Sequence, residues 1–381
     1  MSDLYDKTCI EEVYKIESRN ISENDKITII QCDSKINKNS KLYQTIIKLL
    51  DFFIDQFNKQ HTDRVSNVIK NYIKRSNINP VKIFHHLIQL QHHEPYFLYF
   101  SSMIGFFYQY GIGTFIDYQL AFKMYSISAN QEIDLSKMNL NYYVMNNKFI
   151  GQISLGIMYT FGNGIQKDTK KAFRIFIKSA KEGSVKALSC IGFCFYTGNG
   201  VNKDERKAFK MDSKSAEKGD PVGQFNVGYD FREGVGIKKD ENKSFTWYLK
   251  SAELGNIRAQ HNIGYYYQEG IGISKNKKKA FEWYLRCANL DFDISQECIA
   301  KAYLKGKGIE KSEKQAFEWY LKSAENGNAF AQYKVGLCFG DGVGTKKDIL
   351  KYLYWLNESK NNGDLCAEEL LNNFIILLDH N

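Results

Sequence analysis

The stretch Tyr265–Leu285, YYYQEGIGISKNKKKAFEWYL, holds three consecutive aromatics, a Gly-x-Gly, a lysine run and a Trp-Tyr pair. Taken alone it fits a phosphate loop, a nucleic-acid patch, or the end of one helix and the start of the next. Whether it is unique decides between them, and it is not. Aligned on the small residue ahead of the aromatic cluster, the chain shows Gly156, Gly192, Gly228, Gly264, Ala300 and Gly336, each 36 residues after the one before. An earlier copy at Gly105 precedes Gly156 by 51 residues, one period plus 15 that fall within Asn130–Phe149. A fixed period of this size marks a solenoid of repeated supersecondary units.

The roles within a repeat are readable. An aliphatic residue precedes the small one every time: Ile104, Leu155, Ile191, Val227, Ile263, Ile299, Val335. Three residues after it comes an aromatic: Tyr108, Tyr159, Phe195, Phe231, Tyr267, Tyr303, Phe339. Four apart, the two share one helical stripe, and the small residue between them lets another helix come close. The Gly-x-Gly that follows suits a helix C-terminus, where the chain turns through positive φ. Asp117, Asp168, Asp204, Asp240, Asn276, Ser312 and Asp348 then stand four residues past the second glycine. All are good N-cap types, so a second helix starts there. It carries the KAFEWYLKSAE pattern, whose alternation of small and large residues suits a tightly stacked pair.

Such hairpins stack only with neighbours and capped ends. The expected organisation is a loosely structured segment 1–40, a helical N-terminal region 41–99, a repeat array 100–363 with an insertion near 130–149, and a C-terminal capping helix 364–381. Composition agrees with a folded all-α protein: 43% of residues are hydrophobic, 25% charged, and only 3 are proline beside 28 glycines.

The period, the [ILV]-G-x-x-[YF]-x-x-G-x-G-[IV] helix end, the cap and KAFEWYLKSAE-x-G-x-x-x-A resemble Sel1-like repeats, a branch of the tetratricopeptide-like solenoids. The resemblance covers Phe100 to Ala367. It implies a right-handed α/α superhelix of about seven helix-turn-helix repeats, and a role as adaptor or scaffold for protein partners. In some eukaryotes similar arrays follow a protein kinase domain. H-R-D, D-F-G and V-A-I-K are absent here, which leaves a regulatory partner or remnant of a kinase-linked protein as an alternative.

Chemistry finds little support. G-x-x-x-x-G-K-[ST] is absent, and seven copies of one Gly-x-Gly loop are architecture. His85, His86, His92 and His93 form two pairs seven apart, but no Cys or Asp completes a metal set, and HHEP fails H-E-x-x-H. No catalytic set stands out. The expectation is no enzyme activity, no cofactor and no metal. Eight cysteines without Cys-x-x-Cys or regular pairing point to reduced thiols. MSDLYDKTCIEEVYK is too charged for a secretory signal, and no apolar run approaches the ~18–20 residues of a membrane helix. The expected place is the cytoplasm, with the nucleus open.

The informative surface lies on the first helix of each repeat, opposite its packed stripe. Positions three before, one after and four after the small residue give Ser189, Phe193 and Tyr196, then Phe225, Tyr229 and Arg232, then His261, Tyr265 and Gln268. Glu297, Lys301 and Leu304 follow, and finally Tyr333 and Leu337. A solvated face should be polar, yet aromatics and an arginine dominate, the types enriched at binding hot spots. Phe193, Tyr196, Phe225, Tyr229, Arg232, His261, Tyr265, Gln268 and Tyr333 are the expected lining of a concave groove that takes a protein partner's peptide or helix. Tyr142 and Tyr143 of the insertion are a second candidate. The net charge of +9 is spread along the chain, which disfavours nucleic acid, although an RNA-binding helical repeat is the remaining class.

Overall fold

The computed structural model describes residues 41–90, 97–130 and 141–379. Segment 1–40, His92, His93 and residues 131–140 of the insertion lie outside the described residues. Among the described residues regular structure is entirely helical, in eighteen helices. Helices α1 (Lys41–Lys59), α2 (Thr62–Arg75) and α3 (Pro80–Leu90) precede the repeats. The repeats run through α4 (Phe97–Tyr110), α5 (Tyr118–Ala129), α6 (Asn141–Phe161), α7 (Thr169–Lys181), α8 (Val185–Thr197) and α9 (Glu205–Glu217). They continue as α10 (Pro221–Glu233), α11 (Glu241–Glu253), α12 (Ile257–Glu269), α13 (Lys277–Ala288), α14 (Asp293–Lys305) and α15 (Glu313–Glu325). Helices α16 (Ala329–Asp341), α17 (Ile349–Asn361) and α18 (Leu365–Asp379) complete the chain.

Two compact bodies emerge. One takes the chain up to Ile54 with Ile78–Lys167; the other takes Asp55–Asn77 with Asp168–Asn381. Two consequences were not visible in the sequence. The second repeat is divided in its turn, and Asp55–Asn77, expected as part of a separate N-terminal region, belongs to the body that holds the later repeats.

In the first body α4 packs on α5 and both pack on α6. The described part of the insertion is helix, the N-terminal end of α6. Its Asn147 is buried, accepts from the Ser102 amide at 2.8 Å and donates to the Ser101 hydroxyl at 2.8 Å. Tyr143 donates to Asp51 at 2.8 Å, whereas Tyr142 is exposed.

In the second body each helix packs on the next, from α7 to α18. The turn chemistry explains the strict period. Gly270 ends α12 in the left-handed region, with φ 76°, and its N–H reaches the Tyr266 carbonyl at 2.8 Å. Gly272 does a different job: a Cβ there would sit 2.8 Å from the carbonyl carbon of Glu241, at the start of the preceding repeat's second helix. One glycine reverses the chain and the other lets repeats touch. Next, Asn276 accepts from the Lys279 amide at 2.9 Å, while its own N–H donates to the Tyr267 carbonyl at 2.8 Å. Asp204, Asp240, Ser312 and Asp348 repeat both bonds. A recurring glutamine closes the other end: Gln224, Gln260, Gln296 and Gln332 donate to the carbonyls of Ala216, Ala252, Ala288 and Ala324.

The helix pairs close over the small residue. A Cβ on Gly264 would lie 2.7 Å from ring carbons of Tyr284, and one on Gly228 would lie 2.7 Å from Tyr248. Tyr248, Ala252, Ala259, Ile263 and Tyr266 form one core cluster, and Ala280, Phe281, Tyr284, Ala288, Ile299 and Ala302 the next. Gly264→Val should therefore overpack the hairpin and cost about 1–3 kcal/mol in chemical denaturation. An unchanged unfolding midpoint would contradict the close-approach assignment.

Candidate partner-binding groove

The inner faces of α8, α10, α12 and α14 belong to the second body, and part of that surface is taken by the chain itself. Helix α2 carries a buried stripe of Val65, Val68, Ile69 and Ile73. Its flanks, with the end of α1, are bonded to four successive repeats. On α8, Lys186 is buried and donates to the carbonyls of Phe57 and Gln60, the latter at 2.7 Å. On α10, Phe225 meets His61 edge-on at 4.8 Å, and Asn226 Oδ1 accepts from His61 Nε2 at 3.4 Å. At α12, the Gln60 amide donates to the Gly255 carbonyl at 2.9 Å and accepts from the Ile257 N–H at 3.1 Å. Arg258 pairs with Asp63. At α14, Arg64 lies 4.9 Å over the Phe292 ring, and Arg75 donates to Asn289 O and Asp291 Oδ2, both at 2.7 Å.

These contacts are unequal. Solvent-accessible pairs such as Arg258–Asp63 contribute about 0–1 kcal/mol. Lys186 and Gln60 are buried, so removing either would leave desolvated carbonyls or amides unpaired, at about 1–3 kcal/mol each. The buried polar seat holds the segment more firmly than its rim.

The expected groove residues separate into two rows. Phe225 is half-buried between His61 and the Tyr248 ring, and His261 packs between Tyr284 and Phe292 with Nδ1 at 2.9 Å from the Ser295 hydroxyl. Burial pushes the His261 imidazole down to about 4. Both lie on the inner row, which is packed rather than solvated as the helical wheel suggested. The outer row is more open. Phe193 is 41% exposed and Tyr265 43% exposed. Between them Tyr196 and Tyr229 pair at 6.4 Å with perpendicular rings and hydroxyls 3.5 Å apart. That hydrogen bond is the main reason the Tyr229 phenol is pushed up to about 12. Arg232 stacks 5.1 Å over Tyr229 and pairs with Glu233 at 2.6 Å, while Gln268 donates to Glu269 at 2.7 Å. Tyr333, on α16, neighbours Phe330 at 6.4 Å and Lys334 at 4.9 Å. The structure thus groups Phe193, Tyr196, Tyr229 and Arg232 on adjacent helices, with Tyr265 and Gln268 one helix on.

Sequence reasoning missed the residues beneath the seat, although a signal was present. At one core register the repeats carry Phe176, Tyr248, Tyr284, Tyr320 and Leu356, but α9 carries Asp212. Asp212 is buried and accepts from Asn226 Nδ2 at 2.8 Å, continuing the line from His61. Burial, reinforced by the nearby Asp230, holds its carboxyl well above the usual range. Burial alone pushes Asp230, whose Oδ2 has no partner, up to about 7. Elsewhere, His86 Nε2 is buried without a partner, and the described residues contain no group of three metal-ligating side chains. No described helix is long and apolar enough to cross a membrane.

The Sel1 repeat family model matches residues 102–132, 150–184, 187–220, 221–256, 257–292, 299–328 and 329–364, more than half of the chain. The chain belongs to the Sel1 repeat family. Solved structures agree with its fold. The chain is similar to c5321, a protective antigen of uropathogenic Escherichia coli strains, at 27% identity and TM-score 0.53 over 74% of this chain and 57% of that one. It therefore spans little more than half of that antigen's length. It is also similar to a Sel1 repeat protein from Oxalobacter formigenes, at 32% identity and TM-score 0.51 over 56% of this chain and 87% of the other. No curated protein matches the sequence. In Sel1 terms, the aliphatic, small and aromatic positions are the repeat's frame, and the two inner rows vary from repeat to repeat.

The buried carboxylates give a pH test. Asp212 and Asp230 have folded pKa values raised above the ~3.9 of a free aspartate, that of Asp230 to about 7, so above that free value the native state binds more protons than the unfolded chain. Each then loses stability as pH rises from there toward its folded pKa. His61, lowered to about 3 by burial, and His261 act oppositely below the ~6.5 of a free imidazole. The parent's own profile is therefore mixed, and the difference from a variant is the clean observable. The Asp212→Asn/Asp230→Asn double variant should gain on the parent between pH 5 and 7, by at most about 1.4 kcal/mol per pH unit for each carboxylate. A stability difference independent of pH would contradict the buried, protonated assignment.

Proposed function

We propose that this Sel1 repeat chain is a non-enzymatic adaptor that holds a peptide or helix of a protein partner along the outer row of its groove, in an intracellular signalling setting. One observation carries the reading. Four successive repeats already receive one segment of the chain, the end of α1 through α2, by polar and ring contacts, while Phe193 and Tyr265 stand open. A surface that accommodates one chain segment has the chemistry for recognising another, and exposed rings carry much contact area at low entropic cost. Sel1 repeats generally serve protein interactions, which fits the same use.

The packing also selects the probe. Tyr229 lies against the Tyr248–Tyr266 core cluster, so its loss would perturb stability as well as the surface. Phe193 and Tyr265 are freer. A photo-crosslinking residue at Tyr265 in cells should yield a discrete protein adduct that disappears with Phe193→Ala, whereas the same residue at Glu253, exposed on a second helix, should not yield it. Melting temperature should be unchanged by Phe193→Ala. Identical adducts from both positions, or adducts to RNA, would overturn the groove reading.

A further inference from the structure

Beyond Tyr265 the outer row changes chemistry. The position after the small residue is Phe193, Tyr229 and Tyr265 in three successive repeats, then Lys301 on α14. Lys301 borders a recess of about 280 Å3 between the C-terminal ends of α12 and α14, which Lys275, Lys277, Lys305 and Lys307 also line. Its remaining walls are largely apolar, from Phe281 and Tyr284 of α13 and Ala302 of α14. The only acidic residue in the lining is Glu269, which pairs with Lys275 at 3.8 Å. Lys301 is paired with Glu297. Lys277, Lys305 and Lys307 make no ion pair with a described residue.

The repeat register separates this cluster from the frame. Lys275 recurs as Lys203, Lys239, Lys311 and Lys347, and is architecture. The others do not recur. Where α14 has Lys305, the neighbouring repeats have Glu233, Glu269 and Asp341. In place of Lys277 they carry Glu205, Glu241 and Glu313, and in place of Lys307 they carry Val235, Ile271 and Val343. Charge is reversed at two positions and introduced at a third, all converging on one recess. Unneutralised lysines held together repel one another, and fold stability gains nothing from that. A ligand of opposite charge relieves it.

We infer that this recess anchors an acidic peptide segment of the partner whose apolar residues lie along Phe193, Tyr229 and Tyr265; the inference rests on the groove reading above. A glutamate or aspartate suits both parts of the site, its methylenes on the Phe281 and Ala302 wall and its carboxylate at the lysine rim. A nucleic-acid strand suits it less. Its phosphates need a continuous cationic track, and Glu233 and Glu269 stand at the ends of α10 and α12 beside the row. Electrostatic anchoring of this kind raises on-rate and fixes direction along the groove.

The test uses the full chain and a fluorescein-labelled peptide of three alternating Phe and Leu residues followed by four Glu, titrated by anisotropy. Replacing the four Glu by Gln should weaken binding at least about tenfold, from the loss of charge-assisted contacts. Lys277→Glu/Lys305→Glu, which installs residues the neighbouring repeats already carry, should weaken the Glu peptide by a similar factor at unchanged melting temperature. Lys214→Glu/Lys218→Glu, an equal charge change on another repeat, should leave it within about twofold, because exposed charges farther apart than a Debye length are screened. Equal weakening by both lysine pairs, no discrimination between Glu and Gln, displacement by inorganic phosphate at the peptide's own concentration, or tighter binding of single-stranded RNA would each overturn the inference. The two readings fail separately. Sensitivity to Phe193→Ala/Tyr265→Ala without Glu discrimination removes the recess and keeps the groove; Glu discrimination that ignores those rings overturns the groove and the anchoring tied to it.

Discussion

The fold depends on one close approach, repeated. Where Gly228 faces Tyr248 and Gly264 faces Tyr284, there is no room for even a methyl group between the helices of a hairpin. Because the helices touch there, the aliphatic and aromatic residues on either side meet the partner helix, and the turn between them has a fixed length to span. The cap residue's bond back to the aromatic position's carbonyl locks that length. The part of the insertion from Asn141 onward adds helix at the start of α6 and leaves this unit untouched. The period is a consequence of contact geometry, and the solenoid follows from the period.

Given such a frame, departures from it carry information. Asp212 occupies a position that the aromatic rings of Phe176, Tyr248, Tyr284 and Tyr320 fill in other repeats, and it sits under the His61–Asn226 line where the chain's own segment is seated. Lys277, Lys305 and Lys307 break register in another repeat and converge on one recess. Neither set improves packing. A buried carboxylate is costly unless protonated or paired, and clustered lysines cost solvation and repulsion. Both sit where a surface meets another chain segment, one already in place and one proposed.

The repeat frame was legible because its signals are local. Caps, C-terminal glycines and the small-to-aromatic spacing act within a few residues of each other and recur seven times, so chance agreement is excluded. The seat of α2 was not legible for the opposite reason. Val65, Ile69 and Ile73 announce an amphipathic helix but not its destination, and the Gln60–Gly255 pairing joins residues 195 apart. Phe225 and His261 looked like solvated groove positions because a helical wheel sees one helix. Their burial comes from His61 in one case and Phe292 in the other. Tyr265 and Phe193, on the same wheel, stay open since nothing described reaches them. Periodicity assigns a residue to a face; only tertiary contact decides what that face meets.

On the proposed reading, the inner surface of these helices is divided between two tasks. The inner row, with Lys186 and Asn226, holds a segment of the same chain through buried bonds that would be expensive to break. That occupation stiffens α8, α10, α12 and α14 relative to each other, since one short segment, Gln60 to Arg75, is bonded to all four repeats. A stiffened set of helices holds the rings of the outer row at fixed spacing before any partner arrives, and pre-organisation of this kind lowers the ordering cost of association. Solenoids otherwise flex as springs, with each repeat touching only its neighbours. Here a strut of the chain's own making crosses several repeats at once, so the variable outer row can act as one surface rather than as separate steps.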